Sequence, residues 1–207
     1  MQVQEGESLK SAHWIELLVS VLLLLAPMAR AAGADEPSRD ARIAGGEVLV
    51  TQIAIEGVSI PELLIEGVFD APPEKVWALV DACGGYREIM PMVSESRETE
   101  RVGEESQCSW TVQMPFPLAN IKTLVAATSV ARDGKWRREY KQVSGGFLRN
   151  QGSWELFAFG DDGKRTRFAY RYLAVIDTIF PDTFVKSGQL KAARQMVATI
   201  RERLARH

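Results

Sequence analysis

The chain has 207 residues, 46% hydrophobic and 25% charged, with 25 basic against 27 acidic side chains and a formal net charge of −2. These are ordinary globular proportions. The near-balance of charge excludes a general electrostatic pull toward nucleic acid, and two cysteines are too few for a disulfide framework.

The first element along the chain is an apolar run of thirteen residues, Leu17 to Ala29 (LLVSVLLLLAPMA), interrupted only by Ser20 and Pro27. Two small-x-small sites follow, Ala29-Arg30-Ala31 and Ala32-Gly33-Ala34. A short apolar core ahead of such sites is the build of a secretory signal peptide. As a helix the run spans roughly 20 Å, short of the roughly 30 Å hydrocarbon core of a bilayer. Residues 1–34 are therefore read as a signal peptide, with a secreted or periplasmic destination. The alternative is an uncleaved N-terminal membrane anchor, because Lys10 is the only cation ahead of the run, against Glu5, Glu7 and Glu16. Loss of residues 1–34 removes Lys10, Arg30 and those three glutamates, and leaves 23 basic against 24 acidic residues.

Residues 35–46 (DEPSRDARIAGG) read as a polar linker, and residues 47–207 as one domain with enough chain for a sizeable core. Val48 to Ile55 and Glu62 to Phe69 are extended segments around Gly57 and Pro61. Pro72-Pro73 stops the second, since neither proline can donate to a strand ladder. Asp70 is placed to cap the helix that opens at Pro73, where a proline loses no hydrogen bond. That helix runs to Ala82, buries Val76, Trp77, Leu79 and Val80, and ends at Gly84-Gly85. A second short helical piece spans residues 86–90.

Beyond Pro91 the hydrophobic period changes from helical to two. Ser94–Val102 and Glu105–Met114 are strands, and Ala119–Ala131 is a long one. Asp133-Gly134 turns into Trp136–Val143, Gly145-Gly146 into Leu148–Phe159, and Asp161-Asp162-Gly163 into Lys164–Val175. Pro181 precedes a final helix, Asp182 to about Ala205, with Phe184, Ala193, Val197, Ile200 and Leu204 on one stripe. The expected class is α+β: a curved antiparallel sheet wrapped around a long C-terminal helix, with two short helices after the opening strands.

Alternation assigns the inward face. Trp110, Val112 and Met114 share one side of their strand, Trp136, Arg138 and Tyr140 one side of another, and Trp154, Phe168, Tyr170 and Tyr172 continue the set. With Phe184 from the final helix, these eleven residues are the candidate ligand-cavity lining. Large aromatics with polar tips and small residues between them suit a pocket for a hydrophobic small molecule, and equally suit a filled core. Arg138 demands a carboxylate or a ligand oxygen if it is truly buried, or else a bulge that turns it outward. Asn150 shares its parity. Arg165, Arg167 and Arg171 form the solvated face of the last strand. Cys83 and Cys108 could pair in an oxidising compartment, but Cys108 lies on an apolar strand face, so a buried free thiol is the preferred reading.

The strand, the Asp70-Ala-Pro-Pro corner and a helix carrying Val76 and Trp77 resemble the START-like or helix-grip superfamily, which takes in polyketide cyclase-type and coenzyme Q-binding proteins. Tyr86-Arg-Glu-Ile-Met-Pro91, Gly152-Ser-Trp154-Glu-Leu156 and Thr166-Arg-Phe168-Ala-Tyr170 are similar to later landmarks of that family, in the right order. The resemblance implies a sheet gripping the C-terminal helix, a hydrophobic cavity between them, and a structural corner at residues 70–73.

Catalysis has little to draw on. The two histidines are His13 and His207, and no Cys–His or Gly-rich pattern suggests a metal or nucleotide site. No catalytic residue, metal or cofactor is assigned. The expected function is an exported monomeric carrier of a lipid, quinone or similar molecule. The alternative is a cyclase- or isomerase-like enzyme in which Arg138 or a tyrosine polarises a carbonyl. Transient contact with a membrane surface is a further expectation, from the basic final helix and the apolar Met114-Pro-Phe-Pro-Leu118 segment.

Overall fold

A computed structural model describes residues 37–206. The expected signal peptide and the anchor alternative both lie outside the described residues. Among the described residues, no helix is long and apolar enough to cross a membrane.

The chain forms α1 (Arg39–Ala44), β1 (Leu49–Ile55), β2 (Val58–Phe69), α2 (Pro73–Val80), a 3-10 helix (Cys83–Glu88), six strands and a final helix. The strands are β3 (Val93–Val102), β4 (Glu105–Val112), β5 (Ile121–Arg132), β6 (Lys135–Gly145), β7 (Phe147–Phe159) and β8 (Arg165–Ile176), and α3 spans Asp182–Ala205. All eight strands join one antiparallel sheet in the order β1-β2-β8-β7-β6-β5-β4-β3. Strands β3 to β8 are a simple meander, as the tight turns predict. The opening hairpin instead closes onto the last strand, with Leu63 opposite Tyr172 and Phe69 opposite Thr166.

This order gives the proline corner its task. After β2, the chain must reach β3 at the far edge of the sheet, and α2 with the 3-10 helix makes that crossing. Pro72 and Pro73 end the ladder, and the Thr166 hydroxyl donates to the freed Ala71 carbonyl at 2.6 Å. Val76 and Val80 are then fully buried. Asp70 does not cap the helix: Pro72 holds the N-cap position, without a side-chain hydrogen bond, and Asp70 is exposed. The prolines preset the first turn, so a cap adds nothing that the chain requires there.

Helix α3 lies across the concave face and buries Val185, Ala193, Met196, Val197 and Ile200. The expected linker is a correction. Residues 39–44 form α1, whose Ile43 is buried, while Arg39 pairs with Glu66 and Asp40 with Arg167. The mixed charges read as linker composition are ion-pair partners for the outer faces of β2 and β8. Arg171 is likewise paired, with Glu62 at 2.9 Å.

Cys83 and Cys108 form a disulfide, with Cα atoms 6.2 Å apart, which corrects the free-thiol reading. Parity rightly puts Cys108 inside, but it says nothing of the 3-10 helix that lays Cys83 over β4. Because the bridge closes a loop of 25 residues, Cys83→Ala/Cys108→Ala is expected to lose about 3 kcal/mol through unfolded-chain entropy, measurable by urea unfolding against the oxidised protein.

Candidate functional site

One row of the sheet divides the interior into a filled end and an open one. Cross-strand pairing aligns Arg138, Trp154 and Tyr170 in one row, and Tyr140, Gly152 and Tyr172 in the next. On the filled side, Trp154 stacks on Tyr170 with ring centroids 4.2 Å apart, and Phe168 stacks on Phe69 at 4.3 Å. On the other side lies a cavity of about 560 Å³ between sheet and helix. That volume is typical of small-molecule sites.

The wall is contributed by nearly every element. Tyr86, Met90 and Val93 line the crossing side, Trp110, Val112 and Met114 the β4 side, and Tyr140, Phe147, Asn150, Tyr170, Tyr172, Ala174 and Ile176 the sheet floor. Val185, Gly188, Gln189, Ala192, Ala193 and Met196 present one stripe of α3, and Phe180 and Phe184 stand at its start. Among the described residues, no Asp, Glu, Lys, Arg or His lines it. Of the expected lining, Trp110, Val112, Met114, Tyr140, Tyr170, Tyr172 and Phe184 reach the cavity. The α3 stripe was legible only as a buried helix face; Ala174 and Ile176 merely extend the parity of β8.

Four expected cavity residues lie elsewhere. Trp154 and Phe168 are completely buried in the filled end, and Trp136 packs at its margin. Arg138 also faces inward but is spent on protein partners: its Nη1 meets Asp81 Oδ1 at 2.9 Å and Ser129 Oγ at 2.7 Å, and its Nη2 meets Cys108 Sγ at 3.2 Å. Ser129 in turn donates to Asp81 Oδ1 at 2.6 Å, and Arg101 holds the other carboxylate oxygen at 3.1 Å. Asp81 caps the C-terminus of α2, an unfavourable place for an anion that two guanidinium groups make favourable. Alternation located Arg138 inside; its partner on a helix 57 residues earlier could not be read from spacing.

All four tyrosines of the chain line the cavity. Tyr86 donates to the Val80 carbonyl at 2.8 Å, and the hydroxyls of Tyr140 and Tyr170 lie 3.0 Å apart. Gly152 makes that second contact possible, since a Cβ there would stand 2.7 Å from the Tyr140 hydroxyl and 2.4 Å from the Arg171 carbonyl. Burial pushes all four phenols above their ordinary value near 10, so each is a neutral hydrogen-bonding group.

Sheet, gripped helix and the apolar cavity between them define a helix-grip protein. The chain belongs to the polyketide cyclase/dehydrase and lipid transport family, whose model matches residues 69–200. Among solved structures it is similar to a STAR-related lipid transfer protein from Xanthomonas axonopodis, at 17% identity and a TM-score of 0.64, covering 76% of this chain and 98% of that one. It is also similar to TTHA0849 from Thermus thermophilus, at 21% identity and a TM-score of 0.58, covering 70% of this chain and 97% of that one. Human STARD10 aligns at 12% identity and a TM-score of 0.58, over 80% of each chain. No curated protein sequence matches the chain.

Two measurements follow from this geometry. Asp81→Ala leaves the Arg138 guanidinium buried without its carboxylate and is expected to cost about 3 kcal/mol in urea unfolding, whereas Arg138→Met/Asp81→Leu costs less. The raised tyrosine values stabilise the fold fully below pH 10. The unfolded chain releases its phenolic protons above that pH while the native state holds them, so thermal stability is expected to fall as pH climbs past 10. Replacing Tyr140 and Tyr172 with Phe flattens that fall.

Proposed function

We propose that the protein is an exported carrier of a hydrophobic small molecule, bound in the cavity between the sheet and α3. A single observation carries this reading: a cavity of about 560 Å³, partly open to solvent, whose mainly aromatic and aliphatic wall holds no charged group among the described residues. A well-packed core leaves few voids larger than a water molecule, so a volume of this size is space for a guest. Lipid transfer by the Xanthomonas relative agrees with that use of the fold. The apolar run at residues 17–29, with its small-residue sites, supports export.

Loading and release at a membrane surface fit the exposed apolar side chains beside the cavity. Met92 and Phe184 line it and are 44% and 55% exposed, and Phe116 and Ile179, next to lining residues, are 94% and 79% exposed. The cyclase-like alternative loses its arginine, because Arg138 is committed to Asp81.

Native mass spectrometry and solvent extraction of freshly purified protein test the reading, with a co-purified apolar molecule as the expected result. Gly188→Leu/Ala192→Leu is the matching variant. Both positions lie on the cavity stripe, and a Cβ at Gly188 meets open space. The helix gains up to about 1 kcal/mol from losing its glycine, so the variant is expected to be as stable as the parent yet empty. Parent protein that is always empty, and whose melting temperature no hydrophobic compound shifts, overturns the carrier reading.

A further inference from the structure

Among the described residues, one buried side-chain polar atom of the cavity wall has no hydrogen-bond partner, and it points to the ligand's chemistry. Asn150, on β7, lines the cavity and is only 6% exposed, yet its buried Nδ2 has no hydrogen-bond partner among the described residues. Two neighbouring polar groups are already engaged. Gln142, which follows Tyr140 by two residues on β6, accepts from Thr123 at 2.8 Å and donates to the Phe147 carbonyl at 2.9 Å. Directly opposite on β8 stands Ala174, whose carbonyl takes the Gln189 amide at 2.7 Å. A buried amide left without a partner in a native fold is rare and demands a reason.

A second unused donor lies one row deeper. Tyr140 and Tyr170 share a single hydrogen bond across Gly152, so of their two hydroxyl protons one is engaged and one is spare. Asn150 stands two residues from Gly152 on the same face, roughly 7 Å along the strand. The cavity wall thus offers hydrogen-bond donors at two depths, in a lining without a cation to match an anion.

Resting on the carrier reading, we propose that the bound molecule is uncharged, largely apolar, and carries a carbonyl oxygen that accepts from the Asn150 amide. Quinones and neutral ester lipids share that chemistry. Fatty-acid anions and phosphate headgroups are excluded from the interior, because a buried anion needs a cation that the lining does not contain. Asn150 is the residue that selects a carbonyl over a plain hydrocarbon, since rejection of a molecule lacking the group follows from leaving the amide unpaired.

The test compares three chains of matched length on the purified protein: methyl undecyl ketone, tridecane and tridecanoate, followed by tryptophan fluorescence and thermal shift. The ketone is expected to bind at least about tenfold more tightly than the alkane, with the carboxylate weakest at neutral pH. In Asn150→Leu the ketone preference is expected to vanish while tridecane binding persists. Should that variant misfold, Asn150→Val, which also removes the donor, and the parent's own ketone-to-alkane ratio decide the matter, with loss of the preference in the variant expected. Decylubiquinone and monolaurin, run on the same pair, separate the two sources, and Asn150-dependent binding of either supports the proposal. Equal binding of ketone and alkane, or tightest binding of tridecanoate, overturns it and leaves the carrier reading standing. Binding of no probe at all overturns both.

Discussion

The structure depends on one mismatch of size: a single helix is asked to cover the concave face of an eight-stranded sheet. Eight strands about 4.8 Å apart extend roughly 34 Å across, whereas a helix with its side chains is about 10 Å wide. Curling the sheet around α3 removes part of the excess. The remainder must be filled by other elements or left as space, and this molecule does both. At one end, α2 and the 3-10 helix press Val76, Val80 and Tyr86 into the gap, and Trp154 and Phe168 fill the floor beneath them. At the other end nothing of comparable bulk enters, and the cavity results.

The two ends handle polarity in opposite ways. The filled end holds the Arg138 guanidinium in a network: Asp81 and Ser129 meet its Nη1, Arg101 pairs with the same carboxylate, and the Cys83–Cys108 bridge lies against its Nη2. Such a network is rigid and costly to open. Among the described residues, the polar side chains at the cavity end are neutral: four phenols, Asn150 and two glutamines, Gln113 and Gln189. On the proposed carrier reading, a ligand would enter a space whose walls carry no charge but present neutral hydrogen-bonding groups. The disulfide and the Asp81 network also tie the crossing segment to β4 and β6, and Tyr86 on that segment is part of the cavity wall. Fold stability and cavity shape thus share a foundation.

Much of this was legible along the chain. The change from helical to two-residue periodicity after Pro91, the glycine turns and the amphipathic last strand located the meander to within a few residues. Cross-strand parity brought Trp110, Tyr140, Tyr170 and Tyr172 to one face, because side-chain alternation is a local property of any strand. The same rule could not separate Trp154 and Arg138 from the cavity, since parity reports a face and not a depth. Helix α1 escaped the reading because its apolar contribution is a single residue, Ile43, among charges that only the outer sheet surface makes sense of.

Local chemistry was enough to dictate where each strand turns and which sides are apolar, because these follow from backbone sterics and periodicity; it left Arg138 open between an inward position and a bulge. Tertiary packing alone chose the partners. It paired β2 with β8, laid Asp81 against Arg138 and Cys83 against Cys108, and put the Asn150 amide in the cavity wall without a partner among the described residues. Those outcomes turn on how far one helix can reach across a curled sheet, a distance that no stretch of neighbouring residues encodes.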